Sequence, residues 1–157
     1  TLPAFDALVD SGLTDRVGVS NFEPDHVERA MEVLDAPVFA NQVETHPFCT
    51  QTELREHAAE HGYELVAYSP LARGAVFDDE TLTEIAAAHD ASAAQVSLAW
   101  LREKGVTAIP KATSEAHIRD NWASRNLALT DAEIDAIDAI NRAHREVYPD
   151  FAPDAWE

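Results

Sequence analysis

Several things are scarce in this chain, and each scarcity removes an option. There is one cysteine, Cys49, so no internal disulfide can form, which suits a reducing compartment. No apolar run approaches the roughly 20 residues that a membrane span requires. The opening TLPAFDALVDSGL is an acidic amphipathic segment and lacks the pattern of a signal peptide. A cytoplasmic location is therefore expected. Thr1 is not a start methionine, so the chain is expected to be cut from something longer.

Positive charge is also scarce: 11 basic residues face 29 acidic ones, a net charge of −18. Such a surface repels nucleic acid and anionic membrane, so neither is expected as a partner. Only Lys104 and Lys111 are lysines. The acids are spread along helical faces and form no tail, which reads as a solvated surface. Acid in excess with so little lysine points to a halophilic source, where screening relieves self-repulsion. On that expectation the melting temperature climbs from low to molar salt; a salt-insensitive melt removes the idea.

What is present is ordinary for a folded domain: 157 residues, 46% hydrophobic and 25% charged. A chain of this size buries about 70% of its unfolded surface. Helical and short apolar stretches alternate. Residues 3–11 place Phe5, Leu8 and Val9 on one helical face before Gly12. A strand over Arg16–Val19 ends at Ser20-Asn21, and a helix over 24–34 starts with Pro24. The second strand is Val38–Val43. The next helix, 51–61, opens on the capping box Thr50-x-x-Glu53 and closes at Gly62. The third strand, Tyr63–Tyr68, stops at Ser69-Pro70. Two helices follow, opened by Thr81-x-x-Glu84 and Ser92-x-x-Gln95, the second stopping at Gly105. The fourth strand, Val106–Ile109, ends at Pro110. A short helix near 115–121 precedes a longer one from Thr130-x-x-Glu133 through Ile134, Ile137 and Ile140.

Strands separated by helices predict an α/β fold with a parallel sheet. No G-x-G-x-x-G follows the first strand, so a Rossmann dinucleotide site has no support. Periodicity leaves an open doubly wound sheet and a TIM-type barrel both standing, because four βα units are half of what a barrel needs.

The four strands share polar C-terminal ends: Ser20 and Asn21; Gln42, Glu44 and His46; Tyr68 and Ser69; and Lys111. In a parallel α/β fold those ends lie on one face, where ligand sites are built. His26, His57, His61, His89 and His144 fall in acid-rich helical stretches and read as surface residues. No histidine spacing or cysteine pair is read as a metal-ligand set. Ser20 and Ser69 lack the G-x-S-x-G setting of a hydrolytic nucleophile.

The segments Gly18-Val-Ser-Asn-Phe22, Asn41-Gln-Val-Glu-Thr-His-Pro47, Ala67-Tyr-Ser-Pro-Leu71 and Ile109-Pro-Lys111, followed by Arg119-Asp-Asn121, are ordered and spaced as in one family. The chain resembles the aldo-keto reductases over almost its whole length. That resemblance implies the C-terminal half of a TIM (β/α)8 barrel, its fifth to eighth strands over residues 1–147, with 148–157 as a tail similar to the family's substrate loop. Tyr148, Phe151 and Trp156 are that tail's aromatics.

The resemblance also implies a cofactor site, for NADPH with NADH as the other candidate. Ser20, Asn21 and Gln42 match the residues that hydrogen-bond the nicotinamide carboxamide, and Tyr68 the aromatic that stacks on its ring. Ser69 and Leu71 match positions along the pyrophosphate bridge and Lys111 a phosphate-binding lysine, and Ile109 belongs to the same cofactor-binding set. Thr113 and Ser114 fall at the start of a short helix suited to phosphate. Asp120 and Asn121 match the pair that recognises adenine. His117 stands where many members carry an arginine for the 2′-phosphate, and Ala112 where many carry a serine. His46 falls to a structural or substrate-loop place. The family's catalytic tyrosine, lysine, aspartate and histidine lie in the first half of the barrel, so no catalytic residue is assigned here. The implied activity is NAD(P)H-dependent reduction of aldehydes or ketones, with the missing N-terminal half of the barrel and a small carbonyl compound as partners. A non-catalytic half-barrel that binds nucleotide or self-assembles is the alternative.

Overall fold

The computed structural model of the chain describes residues 2–148. Of the expected substrate-loop tail only Tyr148 falls among them; Phe151 and Trp156 lie outside. The elements run α1 (Pro3–Asp10), β1 (Val17–Ser20), α2 (Pro24–Val33), β2 (Val38–Glu44), α3 (Thr52–His61), β3 (Glu64–Tyr68), a 3₁₀ segment (Ala72–Phe77), α4 (Glu80–Ala88), α5 (Ala93–Glu103), β4 (Thr107–Ala108), α6 (Glu115–Ala123), a 3₁₀ turn (Ser124–Asn126) and α7 (Asp131–Asp138). The strands pair in chain order, β1-β2-β3-β4, and β1 runs parallel to β2. Every connection carries a helix, the crossover that parallel neighbours need. The fold is α/β, as the alternation predicted.

The chain divides into two compact units. The first comprises residues up to Val43 together with Gln51–Val66; the second comprises Glu44–Thr50 together with the described residues from Ala67 onward.

In the first unit Val17, Ala30, Leu34 and Val38 form a core against which Leu2, Val9, Val19, Phe22 and Met31 pack. A Cβ at Gly18 would sit 3.1 Å from the carbonyl oxygen of Ala40, its partner across the β1–β2 ladder, so the strands approach where a side chain would not fit. The stripe expected on α1 is corrected: Phe5 and Leu8 are 37% and 39% exposed, and no residue of α1 is buried. Of the stripe only Val9 packs against the core, and the helix is held as well by Asp6, whose carboxylate accepts from the backbone N–H groups of Asp35 (3.2 Å) and Ala36 (2.9 Å). Polar ties to a loop anchor it where periodicity predicted apolar burial. On α3 the cap position falls on Gln51, in the left-handed region at φ 49°, one residue later than Thr50. Gly62, at φ 75°, ends that helix as expected.

In the second unit α5 is the central element. Ala93, Ala94 and Val96–Leu101 are all buried, and Trp100 is completely enclosed with its indole N–H donated to Asp138 (2.9 Å). Ser92 caps this helix by accepting from Gln95 N–H at 3.1 Å. The cap of α4 is a correction: Asp79, not Thr81, accepts from Leu82 N–H (3.2 Å). Asp79 is buried and also paired to Arg142 at 2.7 Å, and an ionised oxygen is the stronger acceptor at a helix N-terminus. The Thr130–Glu133 capping box forms in both directions, at 3.3 and 2.7 Å. Ile137 is buried beneath α7, whereas Ile140 lies beyond that helix's end. His144 is also past α7, in irregular backbone and not on a helix. β4 is two residues long, shorter than expected, although Ile109 N–H still donates to the Ala67 carbonyl at 3.1 Å.

Candidate functional site

In the first unit the end of β1 is built around Gln42 and Asn41. The Gln42 carbonyl accepts from Asn21 N–H (3.0 Å) and from the Ser20 hydroxyl (2.9 Å). Asn21 takes a left-handed turn, φ 57°, that asparagine tolerates better than most residues. Its Oδ1 is buried without a hydrogen-bond partner. A buried acceptor left open in this way is suited to an amide N–H₂. Asn41 belongs to the same motif as Gln42, but its role shows only in the fold. It is fully buried; its amide donates to the Phe22 carbonyl (2.7 Å) and its oxygen accepts from Phe22 N–H (3.4 Å), which fixes the turn carrying Asn21.

In the second unit an open groove of about 660 Å³ collects Ser69, Leu71, Ile109, Lys111, His117, Asp120 and Asn121. Seven residues far apart in the sequence thus line one surface. Tyr68, Thr113 and Ser114 belong to the same unit but do not line it. Two features of this groove were not legible in the sequence. Arg73 also lines it, from a left-handed turn at φ 51° next to Gly74 at φ 109°. The loop bearing both is pinned by the buried Ser97 hydroxyl, which donates to the Pro70 carbonyl at 2.8 Å. Asp120 is held by α5: its two carboxylate oxygens accept from the Ser92 hydroxyl (2.7 Å) and the Gln95 side-chain amide (2.6 Å). Gln95 therefore serves Asp120 and does not reach back to complete a capping box.

The electrostatics of the groove are set by what its cations lack. Among the described residues neither Lys111 nor Arg73 has an ion pair, in a chain of net charge −18. The other lysine, Lys104, is paired to Asp138. Below Lys111, Ser114 caps α6 by accepting from His117 N–H (3.2 Å), so the positive end of that helix adds to the field.

His46 and Glu44 form a separate buried network in the second unit. Both side chains are fully enclosed; His46 Nε2 lies 3.1 Å from Glu44 Oε1. Phe48 N–H donates to His46 Nδ1 at 3.3 Å, which places the ring proton on Nε2, facing the carboxylate. Glu44 also accepts from the backbone N–H groups of Glu146 (2.7 Å) and Val147 (3.1 Å). Burial alone would raise the Glu44 carboxyl, but the hydrogen bonds from His46, Glu146 and Val147 outweigh it and hold it below its ordinary value. This is a structural clasp over the segment after α7, the place expected for His46.

One histidine spacing brings potential ligand groups together in the first unit. His57 and His61 stand four apart on α3, and both lie with Glu28 of α2 in one cluster. Helix periodicity puts positions i and i+4 on one face, so this pair was available from the sequence; the partner from α2 was not.

The Aldo/keto reductase family profile matches residues 1–142. The glyoxal reductase of Bacillus subtilis is 39% identical over 145 residues, covering 92% of this chain and 52% of that protein. Among solved structures, a putative 2,5-diketo-D-gluconic acid reductase B superposes with a TM-score of 0.93 at 36% identity, over 98% of this chain and 56% of that one. A Bombyx mori aldo-keto reductase in complex with NADP superposes with a TM-score of 0.85 at 30% identity, over 92% and 50%. The chain belongs to the aldo/keto reductase family, oxidoreductases that reduce carbonyls to alcohols. It spans about half the length of the curated relatives it matches.

Proposed function

We propose that this chain corresponds to the C-terminal half of a (β/α)8 aldo-keto reductase barrel and supplies the nicotinamide-cofactor site for reduction of an aldehyde or ketone. The observation that carries this reading is the groove of Lys111, Arg73, His117, Ser69, Leu71, Asp120 and Asn121, whose two cations have no ion pair among the described residues of a strongly acidic chain. Such cations beside a helix N-terminus suit a pyrophosphate or a nucleotide phosphate. The silkworm relative with NADP bound supports that choice of ligand. Residues 1–147 form the half-barrel in this reading, and 148–157 the substrate-loop tail.

When bound, the dihydronicotinamide supplies a hydride to the carbonyl carbon. This chain's own residues bind and orient. Asn21 offers its open Oδ1 to the carboxamide N–H₂, Ser20 keeps oxygen lone pairs for the same group, and Gln42 completes the set. Tyr68 presents a ring for stacking. Lys111, with Thr113, Ser114 and the first turn of α6, takes phosphate, while Asp120 and Asn121 take adenine. The proton for the carbonyl oxygen comes from the tyrosine of the barrel's first half, tuned by that half's lysine and aspartate, so this chain holds no catalytic residue.

The test is titration with NADPH and NADH, by tryptophan fluorescence, of this chain alone and with a complementing N-terminal half, with carbonyl turnover followed in both. Binding by the chain and turnover only on complementation are expected. Turnover by the lone chain would contradict the missing acid; binding without turnover after complementation supports a non-catalytic nucleotide-binding module. A narrower result is expected at His117, where an imidazole replaces a guanidinium fork. His117→Arg should tighten NADPH more than NADH, and equal shifts in the two titrations would remove His117 from the 2′-phosphate.

A further inference from the structure

Away from the cofactor groove, α2 and α3 bring three potential ligands together. Glu28, His57 and His61 can each offer one ligand atom, and these atoms all lie within 4.8 Å of one another. His57 and His61 are stacked, ring centroids 4.0 Å apart at 20°. His57 Nε2 is shielded from water and has no hydrogen-bond partner. Its nearest carboxylate oxygen, Glu28 Oε1, is 3.6 Å away, too far for a hydrogen bond. A buried polar nitrogen without a partner is rare enough to need an explanation.

The opposite nitrogens are already taken. His61 Nδ1 lies 3.0 Å from the His57 carbonyl, which can only accept, so Nδ1 carries the proton and Nε2 the lone pair in the neutral ring. His57 Nδ1 lies 2.9 Å from the Tyr63 hydroxyl. The Tyr63 hydroxyl oxygen can accept the Nδ1 proton, the tautomer that leaves the lone pair on Nε2. Metal-ligating histidines are oriented in this way, with the far nitrogen tied to a carbonyl or another polar group and the near one free.

We propose that Glu28, His57 and His61 bind one divalent transition-metal ion, with Zn²⁺ the reference, which ties α2 to α3 and leaves a fourth position for water. Two imidazoles and a carboxylate suit zinc, nickel or copper, whereas magnesium and calcium prefer all-oxygen sites. Ligand atoms on a tetrahedral zinc lie roughly 3.3 Å apart, given bonds of about 2.0–2.1 Å. Separations of up to 4.8 Å must therefore contract by as much as about 1.5 Å, a side-chain rotation open to Glu28 and His61, both exposed. None of the residues assigned to the cofactor is a ligand, so this site stands apart from the cofactor reading.

A chain this acidic attracts cations everywhere, so the experiment must separate imidazole binding from carboxylate binding. The chain is titrated with Zn²⁺ by calorimetry and with Co²⁺ by visible absorption, both in excess Mg²⁺ to saturate surface acids. Expected are one equivalent of Zn²⁺, ligand-field bands from bound Co²⁺, and a higher melting temperature with Zn²⁺. His61→Ala and Glu28→Gln alter exposed side chains, and circular dichroism checks that each variant folds. Each should weaken Zn²⁺ at least tenfold, while His144→Ala should leave the affinity unchanged. Failure to reach saturation at one equivalent, or an affinity indifferent to both His61→Ala and Glu28→Gln, would overturn the site.

Discussion

Glu44→Ala should destabilise the chain by about 3–5 kcal/mol at neutral pH, because it takes the acceptor from three donors at once and a hydrogen bond to a charged group contributes about 1.5–3 kcal/mol. The carboxylate it removes is fully enclosed and satisfies His46 and the backbone N–H groups of Glu146 and Val147. Each would be left without its acceptor, His46 fully away from water. Glu44→Gln keeps the shape, removes the charge and isolates the pH dependence. The folded carboxyl lies below its ordinary value of 4.5, so its stabilisation is complete above that value and is lost as pH falls through the lowered one. Urea melts should therefore show a wide gap between the parent chain and Glu44→Gln at neutral pH. The gap should close in acid, where the parent's carboxylate is protonated as well. A gap that stays constant from neutral to acid would mean that the charge contributes nothing.

Lys111→Met should weaken NADPH binding about ten- to a hundredfold, since a hydrogen bond to a charged group contributes about 1.5–3 kcal/mol and each 1.4 kcal/mol is tenfold. The same substitution should flatten the dependence of affinity on salt, because an ionic contact is what salt screens. Lys104→Met is the control. That lysine is paired to Asp138 and does not line the groove, so its loss should lower stability while leaving the affinity of the folded protein unchanged. Equal effects of the two substitutions on NADPH affinity would remove Lys111 from the phosphates and leave only general charge.

Much of this site is legible in the sequence. Seven of the residues matched to the family's cofactor contacts through the resemblance line one groove, from the loop after β3, the segment after β4 and α6. Arg73 is not legible there, because nothing in Leu-Ala-Arg-Gly predicts which way a left-handed turn will aim a side chain. Asn41 is hidden for another reason: a buried asparagine in an apolar strand looks like any other strand residue until its partner, Phe22, is known. The His57–His61 spacing lies in plain view, but it means little without Glu28, which another helix contributes.

Local chemistry determined the order of helices and strands, the breaks at Gly12, Gly62 and Gly105, the caps at Ser92 and Thr130, and the family motifs, since each depends on neighbours a few residues away. Packing between distant segments decided the rest: that Asp79 and not Thr81 caps α4, that Phe5 and Leu8 of α1 stay exposed, and that Asp120 is committed to Ser92 and Gln95. Those outcomes turn on which groups meet after the chain has folded back on itself. Burial, competition between acceptors and leftover charge exist only at that stage.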